Sequence, residues 1–369
     1  MLLERLQIQG VRNLESVRLG TLSLINILYG NNGAGKTSIL EAIHILGLAR
    51  SFRNPKIKPI ISHQRSECTV FGQLSGIFAQ EGGMVSMGVT RNRQSQYKIR
   101  INGFNVNSAA ELAEYLPLLT INADSFDLLT GGPASRRRYL DWSVFHVEPS
   151  FYSEWKRYQR CIKQRNSLLR RDKIDDNLLS TWTKELVHVG ERVDAMRKQQ
   201  LSRLNQGFLG LVSQLTKSLE GIDFRYYQGW DSEKTLSEAL SQTLSSDMER
   251  GFTHVGPHRA DLKIRMGPAS AIDVLSRGQI KLAVCALKLA QGRLLDELTG
   301  RKCVYLIDDL PSELDGEHLS AFCQLLEAVG SQVFVTCVEK RDLLGKFSAS
   351  AQVALFHVEH GQVCRADGI

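Results

Sequence analysis

The sequence predicts an α/β fold with mixed sheets, interrupted by an inserted helical domain. Three observations carry that reading. A short apolar strand runs into the glycine-rich string GNNGAGKT (residues 30–37) and then into an apolar-periodic helix. Two uninterrupted apolar runs, CVYLI (303–307) and VFVT (333–336), read as parallel strands buried on both faces. Between these halves, residues 135–219 contain one proline, Pro149, and keep a long helical period.

In chain order, LERLQIQGVRNL (3–14) alternates as a half-buried strand, and LSLINILYG (22–30) ends a further strand at Gly30. Residues 37–49 then place Ile39, Leu40, Ile43, Leu46 and Ala49 at helical spacing, which predicts a helix with one buried face. The basic stretch from Arg50 to Lys58, with Pro55 and Pro59, reads as a loop. Residues 68–106 look like alternating strands with turns at Glu81-Gly82-Gly83 and Asn102-Gly103. Gly131-Gly132-Pro133 is the sharpest break. Strand patterns return at Ile222–Tyr227 and after His254, and residues 278–298 form one long helix by period. The expected organisation is a first half at 1–130, a helical arm at 131–220 and a second half at 221–369.

The length of 369 residues suggests about two domains. With 43% hydrophobic and 23% charged residues, the composition excludes a disordered tail, a collagen-like repeat and a disulfide-stapled miniprotein. The seven cysteines show no CxxC pair and mostly lie in apolar stretches, as small buried hydrophobes of a reducing cytosol. No secretory signal and no run of about 18 apolar residues is visible, so a cytoplasmic protein without a membrane partner is expected.

GNNGAGKT matches GxxxxGK[ST]. The backbone of Gly30, Asn31, Asn32, Gly33, Ala34 and Gly35 is expected to approach phosphate oxygens at a helix N-terminus. Lys36 would reach the β- and γ-phosphates and the Thr37 hydroxyl would ligate Mg²⁺. No NKxD string follows to read guanine, which favours ATP. Nucleotide hydrolysis also needs a carboxylate for the metal and a group that positions water. The strand CVYLI supplies both at its end: Asp308 for Mg²⁺ and Asp309 as general base. Upstream, LSRGQ (275–279) resembles the LSGGQ signature of ABC and SMC ATPases, and SELD (312–315) stands where those proteins have their D-loop. By that resemblance Ser276, Gly278 and Gln279 would face a γ-phosphate bound by a second copy of the chain, sandwiching ATP in a dimer.

Residues 38–274 separate the two halves of this machinery, more than in a transporter cassette and far fewer than in an SMC rod. The strings YGNNGAGKTSILEAI (29–43), RSFRNP (50–55), LLTGGPASRRRYLDW (128–142), GPHRADL (256–262), LSRGQIKLAVCALKLA (275–290) and LIDDLPSELD (306–315) span the chain in order. Together they resemble the RecF family of bacterial recombination mediators. The resemblance implies a P-loop ABC/SMC-like ATPase head with a helical lobe. It also implies ATP and DNA binding, an ATP-dependent homodimer and slow, DNA-stimulated hydrolysis. RecR and RecO are the implied partners, and RecA loading at single-strand gaps, replication-fork maintenance and SOS induction the implied roles. Asp309 stands where most such heads have glutamate, and its shorter reach suits slow turnover. By position Asn122 takes the place of the Q-loop glutamine, and Thr336 stands near the missing switch histidine. The sequence assigns no role to His258 or Arg259.

Charge locates the second interface. The whole chain carries a formal +7, yet residues 131–175 alone contain eleven basic and five acidic residues. Lys156, Arg160 and Lys163 share one helix face, with Arg157 beside them. Arg136, Arg137 and Arg138 sit near a helix start, where the macrodipole disfavours cations and a phosphate or a protein carboxylate would relieve them. Such a run is often only a solvated helical face. With the family resemblance, all seven are expected to bind duplex or gapped DNA through its backbone rather than its sequence. Trp155 and Tyr158 are expected to pack inside the lobe. Two other readings remain: a DNA-binding structural protein that uses ATP only to hold its dimer, and a transporter-type ATPase subunit.

Overall fold

The computed structural model describes residues 2–54, 56–76 and 83–366. Pro55 and the Glu81-Gly82 part of the expected turn lie outside them. The chain divides into two compact units, Met1–Ser125 with Gln214–Thr216 and Lys281–Ile369, and Phe126–Ser213 with Lys217–Ile280.

The first unit holds two six-stranded sheets. One is antiparallel, in the order β2-β1-β4-β5-β6-β7: β1 (Leu2–Val11), β2 (Leu14–Leu19), β4 (Glu67–Ser75), β5 (Val85–Asn92), β6 (Tyr97–Ile101) and β7 (Phe104–Val106). The expected Asn102-Gly103 turn joins β6 to β7 with both residues at positive φ, 50° and 85°. The other sheet runs β15-β14-β3-β13-β12-β8: β3 (Ile25–Tyr29), β8 (Leu118–Ile121), β12 (Val304–Ile307), β13 (Gln332–Cys337), β14 (Val353–Glu359) and β15 (Gln362–Ala366). Only the edge strand β15 is antiparallel there. Every residue of β12 and β13 is buried, Gln332 and Thr336 included, as expected of parallel strands covered on both faces.

The helix Lys36–Leu48 packs against both sheets and shares their core, which includes Ile8, Ile43, Val70, Met87, Leu306 and Phe334. Its periodicity predicted one buried face. Instead, eleven of its thirteen residues are buried, because a layer covers each side.

The second unit contains the helices Pro133–Val147, Phe151–Leu169 and most of Asp176–Leu215. It also contains the three-stranded sheet β11-β10-β9, made of β9 (Ile222–Tyr227), β10 (Asp261–Met266) and β11 (Ala269–Ser270). The boundary expected at residue 220 and the compact division therefore differ. A change of periodicity from helix to strand marked 220, but tertiary bonds keep the later strands with the helices. Phe224 stacks on Phe208 with ring centroids 4.7 Å apart, Asp261 pairs with Arg136, and the Arg197 guanidinium donates to the Pro257 carbonyl at 2.7 Å. The unit has a core around Tyr158, Cys161, Leu186, Val189 and Trp230, and it also holds an ion pair between Arg165 and Asp247 with both side chains fully buried.

Among the described residues no disulfide forms, and six of the seven cysteines are buried. No helix among them is long and apolar enough to cross a membrane.

Candidate nucleotide site

The site lies at the C-terminal ends of β3, β12 and β13. The turn after β3 is forced to be glycine-rich by its neighbours. Gly30 has φ +148°, and a Cβ there would sit 2.2 Å from the Val358 carbonyl oxygen of β14. At Gly35, φ +120°, an added Cβ would meet the Leu14 and Asn13 side chains at 3.0–3.2 Å. The Asn13 side chain, in the β1–β2 turn, clamps the loop. Its amide donates to the carbonyls of Ala34 at 3.1 Å and Gly33 at 3.3 Å, and its oxygen accepts from the Ser38 hydroxyl at 3.1 Å. From the β14–β15 turn, the Gly361 N–H donates to the Ala34 carbonyl at 2.9 Å. Asn31, Asn32 and Gly33 remain exposed at the loop crest.

Lys36 folds back under the loop and donates to the carbonyls of Gly30 at 2.6 Å and Asn31 at 3.0 Å. Burial pushes its amine below the ordinary lysine value, and the nearby Asp309, Cys337 and Asp308 oppose that shift. The Thr37 hydroxyl donates to Asp308 Oδ1 at 2.9 Å. Thr336, from the end of β13, donates its hydroxyl to the same oxygen at 2.8 Å and accepts the Asp309 N–H at 2.7 Å. Asp309 itself sits at φ 52°, ψ 46°, a left-handed conformation that aspartate tolerates better than most residues.

These groups line one pocket of about 360 Å³ with Asn32, Gly33, Gly35, Ser38 and Arg53. The structure thus gathers the expected Lys36, Thr37, Asp308 and Asp309 and adds three residues, Ser38 next to the loop, Arg53 and Thr336. From the sequence, Thr336 is distinguished only by standing near a missing histidine. Arg53 belongs to RSFRNP, whose basic, proline-bearing composition signalled a loop but not where it folds. Asn122 is not among the lining residues, because its side-chain oxygen accepts from the Ser125 N–H at 3.1 Å and hydroxyl at 2.7 Å.

Ser276, Gly278 and Gln279 belong to the second unit, at the start of the helix Arg277–Thr299. The Ser276 N–H donates to Gln279 Oε1 at 2.8 Å and the Gln279 N–H to Ser276 Oγ at 3.3 Å, a reciprocal capping box. Ser276 and Gly278 are exposed, and a Cβ at Gly278 would meet only the Ser276 hydroxyl oxygen, at 4.0 Å. In SELD, Glu313 pairs with Lys281 at 2.7 Å and Asp315 caps the helix Gly316–Val329.

The basic residues divide sharply. Arg136 forks onto Asp261 at 2.7 and 3.2 Å and donates to the Gly131 carbonyl at 2.7 Å. Arg137 donates to the Ala260 carbonyl at 2.8 Å, and burial, with Arg197 nearby, lowers its pKa. Of the two partners that would relieve cations at this helix start, Arg136 therefore has the protein carboxylate. Arg138 is exposed, as are Lys156, Arg157, Arg160 and Lys163 on the helix Phe151–Leu169. Arg157 pairs with Glu185, and Arg160 lies 5.9 Å from the Trp182 ring centroid, along a groove that also holds Thr181 and Lys184. Trp155 and Tyr158 stack at 5.5 Å, with Tyr158 fully buried in the core of this unit.

The GPHRADL segment also acquires a role. The His258 ring bonds Tyr158 Oη at 2.7 Å and the Thr253 carbonyl at 3.1 Å, while the Arg259 guanidinium lies 5.5 Å from the Phe252 ring centroid. These contacts fasten a loop to its own unit.

Comparison with known proteins agrees with this geometry. The family model described as RecF/RecN/SMC N terminal domain matches residues 2–363. The DNA replication and repair protein RecF of Pseudomonas syringae pv. tomato is 49% identical over 363 residues, covering 98% of each chain. That of Pseudomonas aeruginosa (strain LESB58) is 47% identical over 369 residues, covering 100% of this chain and 99% of the relative. A solved structure of the recombination mediator protein RecF-ATP in the RecFOR pathway matches with TM-score 0.86 at 25% identity, over 99% of this chain and 97% of that one. An Smc head domain from Pyrococcus furiosus matches at TM-score 0.58 and 13% identity, over 99% and 96% of the two chains, a likeness of fold alone. A loop, a carboxylate strand and a helix-start motif held in this order thus have a known lineage, and the chain belongs to the RecF family.

Proposed function

We propose that this chain is an ATP-dependent, DNA-binding recombination mediator of the RecFOR pathway. The observation that carries the reading is the convergence of Lys36, Thr37, Asp308, Asp309 and Thr336 on one pocket beside a helix N-terminus. The donor set fits Mg²⁺: a hydroxyl and a carboxylate oxygen already 2.9 Å apart, hard ligands of the kind this ion takes alongside phosphates. Thr37 and Asp308 would hold it, and when bound it neutralises charge on the phosphate oxygens. Lys36 exchanges its two carbonyl partners for phosphate oxygens. The exposed Arg53 adds a second cation at the same pocket. Asp309 orients and deprotonates the attacking water, and Thr336 fixes its backbone.

The exposed helix start presents the Ser276 hydroxyl and the Gly278 N–H to a phosphate held by a second copy, so ATP would join two chains. Hydrolysis, slow and stimulated by DNA, would release them. Duplex or gapped DNA would be held through its phosphates by Arg138, Lys156, Arg157, Arg160 and Lys163, with Arg136 and Arg137 serving as internal braces. RecR and RecO are the proposed partners. RecA loading at gaps, fork maintenance and SOS induction are the proposed cellular roles, in the cytoplasm.

The test is the oligomeric state of Asp309→Asn with and without Mg-ATP and DNA, by light scattering. An ATP-dependent dimer that outlives that of the wild type is expected. A protein that stays monomeric at saturating ATP would sink the sandwich. A second reading is favoured by the short reach of Asp309: ATP acts only to hold the dimer. It predicts that Asp309→Asn retains repair function in cells while Lys36→Arg loses it.

A further inference from the structure

The helix that follows the phosphate-binding loop carries a carboxylate that the nucleotide chemistry does not use. Glu41 is completely buried, yet it accepts three hydrogen bonds. Arg12 forks onto it, Nε to Oε2 at 2.8 Å and Nη2 to Oε1 at 2.9 Å, and the Ser51 hydroxyl donates to Oε1. Three residues along, His44 donates its Nδ1–H to the Arg50 carbonyl at 2.7 Å and sets its ring edge-on to Phe52, centroids 5.4 Å apart. Ser51 Oγ in turn accepts the N–H groups of Arg53 at 3.0 Å and Asn54 at 3.1 Å. Arg50, Ser51 and Phe52 are thus each pinned by the helix, and the next residue is the exposed Arg53 that lines the nucleotide pocket.

Arg12 closes the arrangement at its other end. Its Nη1 donates to the Pro59 carbonyl at 2.8 Å, at the far side of the same loop. Its neighbour Asn13 is the residue that clamps Gly33, Ala34 and Ser38. One carboxylate therefore ties both ends of the 50–59 loop to the helix that begins with Lys36. Removing a carboxylate from water is costly, and well-packed apolar groups would hold two segments together as well. What an apolar contact does not supply is direction, and direction is what a guanidinium needs to meet phosphate oxygens.

We propose that Glu41, acting through Ser51, is a positioning residue that aims Arg53 at the phosphates of a bound nucleoside triphosphate. The inference rests on the nucleotide reading of the pocket. The test is Mg-ATP affinity by isothermal titration for the full chain and for Ser51→Ala, Ser51→Thr, Arg53→Ala and the Ser51→Ala/Arg53→Ala double variant. Arg53→Ala is expected to weaken binding about tenfold or more, the scale of a lost charge-assisted hydrogen bond. Ser51→Ala is expected to lose a large part of that factor, and Ser51→Thr, which keeps the hydroxyl, to recover it. In the double variant the loss should equal that of Arg53→Ala alone. Glu41→Gln should follow Ser51→Ala, and if it does not fold, the serine variants decide. Wild-type affinity in Ser51→Ala, or losses that multiply in the double variant, would overturn the inference and leave the nucleotide reading standing. A wild-type chain that fails to bind Mg-ATP would overturn both.

Discussion

His258 makes the second unit sensitive to acid in a way that can be worked out from its two partners. A carbonyl only accepts, so the bond to Thr253 places the ring proton on Nε2 and leaves Nδ1 to accept from the Tyr158 hydroxyl. Burial, with Arg259 and Arg137 nearby, holds the pKa at about 4. In the unfolded chain it returns to about 6.5. Between these values the unfolded chain takes up the proton more readily. The stabilisation is therefore full above about pH 6.5 and is lost as pH falls toward 4. The whole gap corresponds to about 3 kcal/mol, of which about 2 kcal/mol falls between pH 7 and pH 5. All four tryptophans, Trp142, Trp155, Trp182 and Trp230, lie in the second unit, so urea unfolding followed by their fluorescence reports that unit. Wild type should lose about 2 kcal/mol more than His258→Asn when the pH is lowered from 7 to 5. Equal losses in the two proteins would refute the assignment.

Asp247→Asn should cost the same unit about 3–5 kcal/mol in that assay, because it leaves the Arg165 guanidinium buried without its counter-charge. Gly30→Ala places a Cβ against the Val358 carbonyl at a φ that alanine resists. It should destabilise the first unit by about 2 kcal/mol or more, read by thermal unfolding in circular dichroism, and abolish ATP binding. Arg160→Glu should weaken DNA binding and lower its log–log salt slope by about one. Arg136→Ala should leave that slope unchanged while lowering the unfolding midpoint, since its donors serve Asp261 and Gly131.

What was legible in the sequence was what neighbours along the chain decide. Gly30 to Thr37 act as one turn and Asp308-Asp309 as one strand end, so their spacing alone located them. The helix start at Ser276 was legible because LSRGQ is a contiguous string resembling a known signature and stands at the head of a periodic run; its capping bonds came only with the structure. Arg53 and Thr336 were not located as pocket residues, because their place depends on where a loop and a strand fold. Arg136 looked like a DNA contact because its carboxylate lies 125 residues away. The burial of Glu41 follows from the two sheets that cover its helix, which a helical period alone does not reveal.

The position of β3 sets the order in which the molecule is able to assemble. Ile25 pairs with Val333 on one side and Val353 on the other, so both strands that hold the phosphate loop's strand come from near the opposite end of the chain. Pairings that distant close slowly, because the chain loses loop entropy before they form. During synthesis the whole of the second unit leaves the ribosome before β13 and β14 exist. The pocket around Lys36 is therefore among the last parts of the protein to be completed, and until then its glycine loop hangs from an unpaired strand that is apolar but for Asn26. A chain stalled or cut before residue 353 would carry Lys36, Thr37, Asp308, Asp309 and Thr336 and still lack one of the two walls that hold the loop in shape.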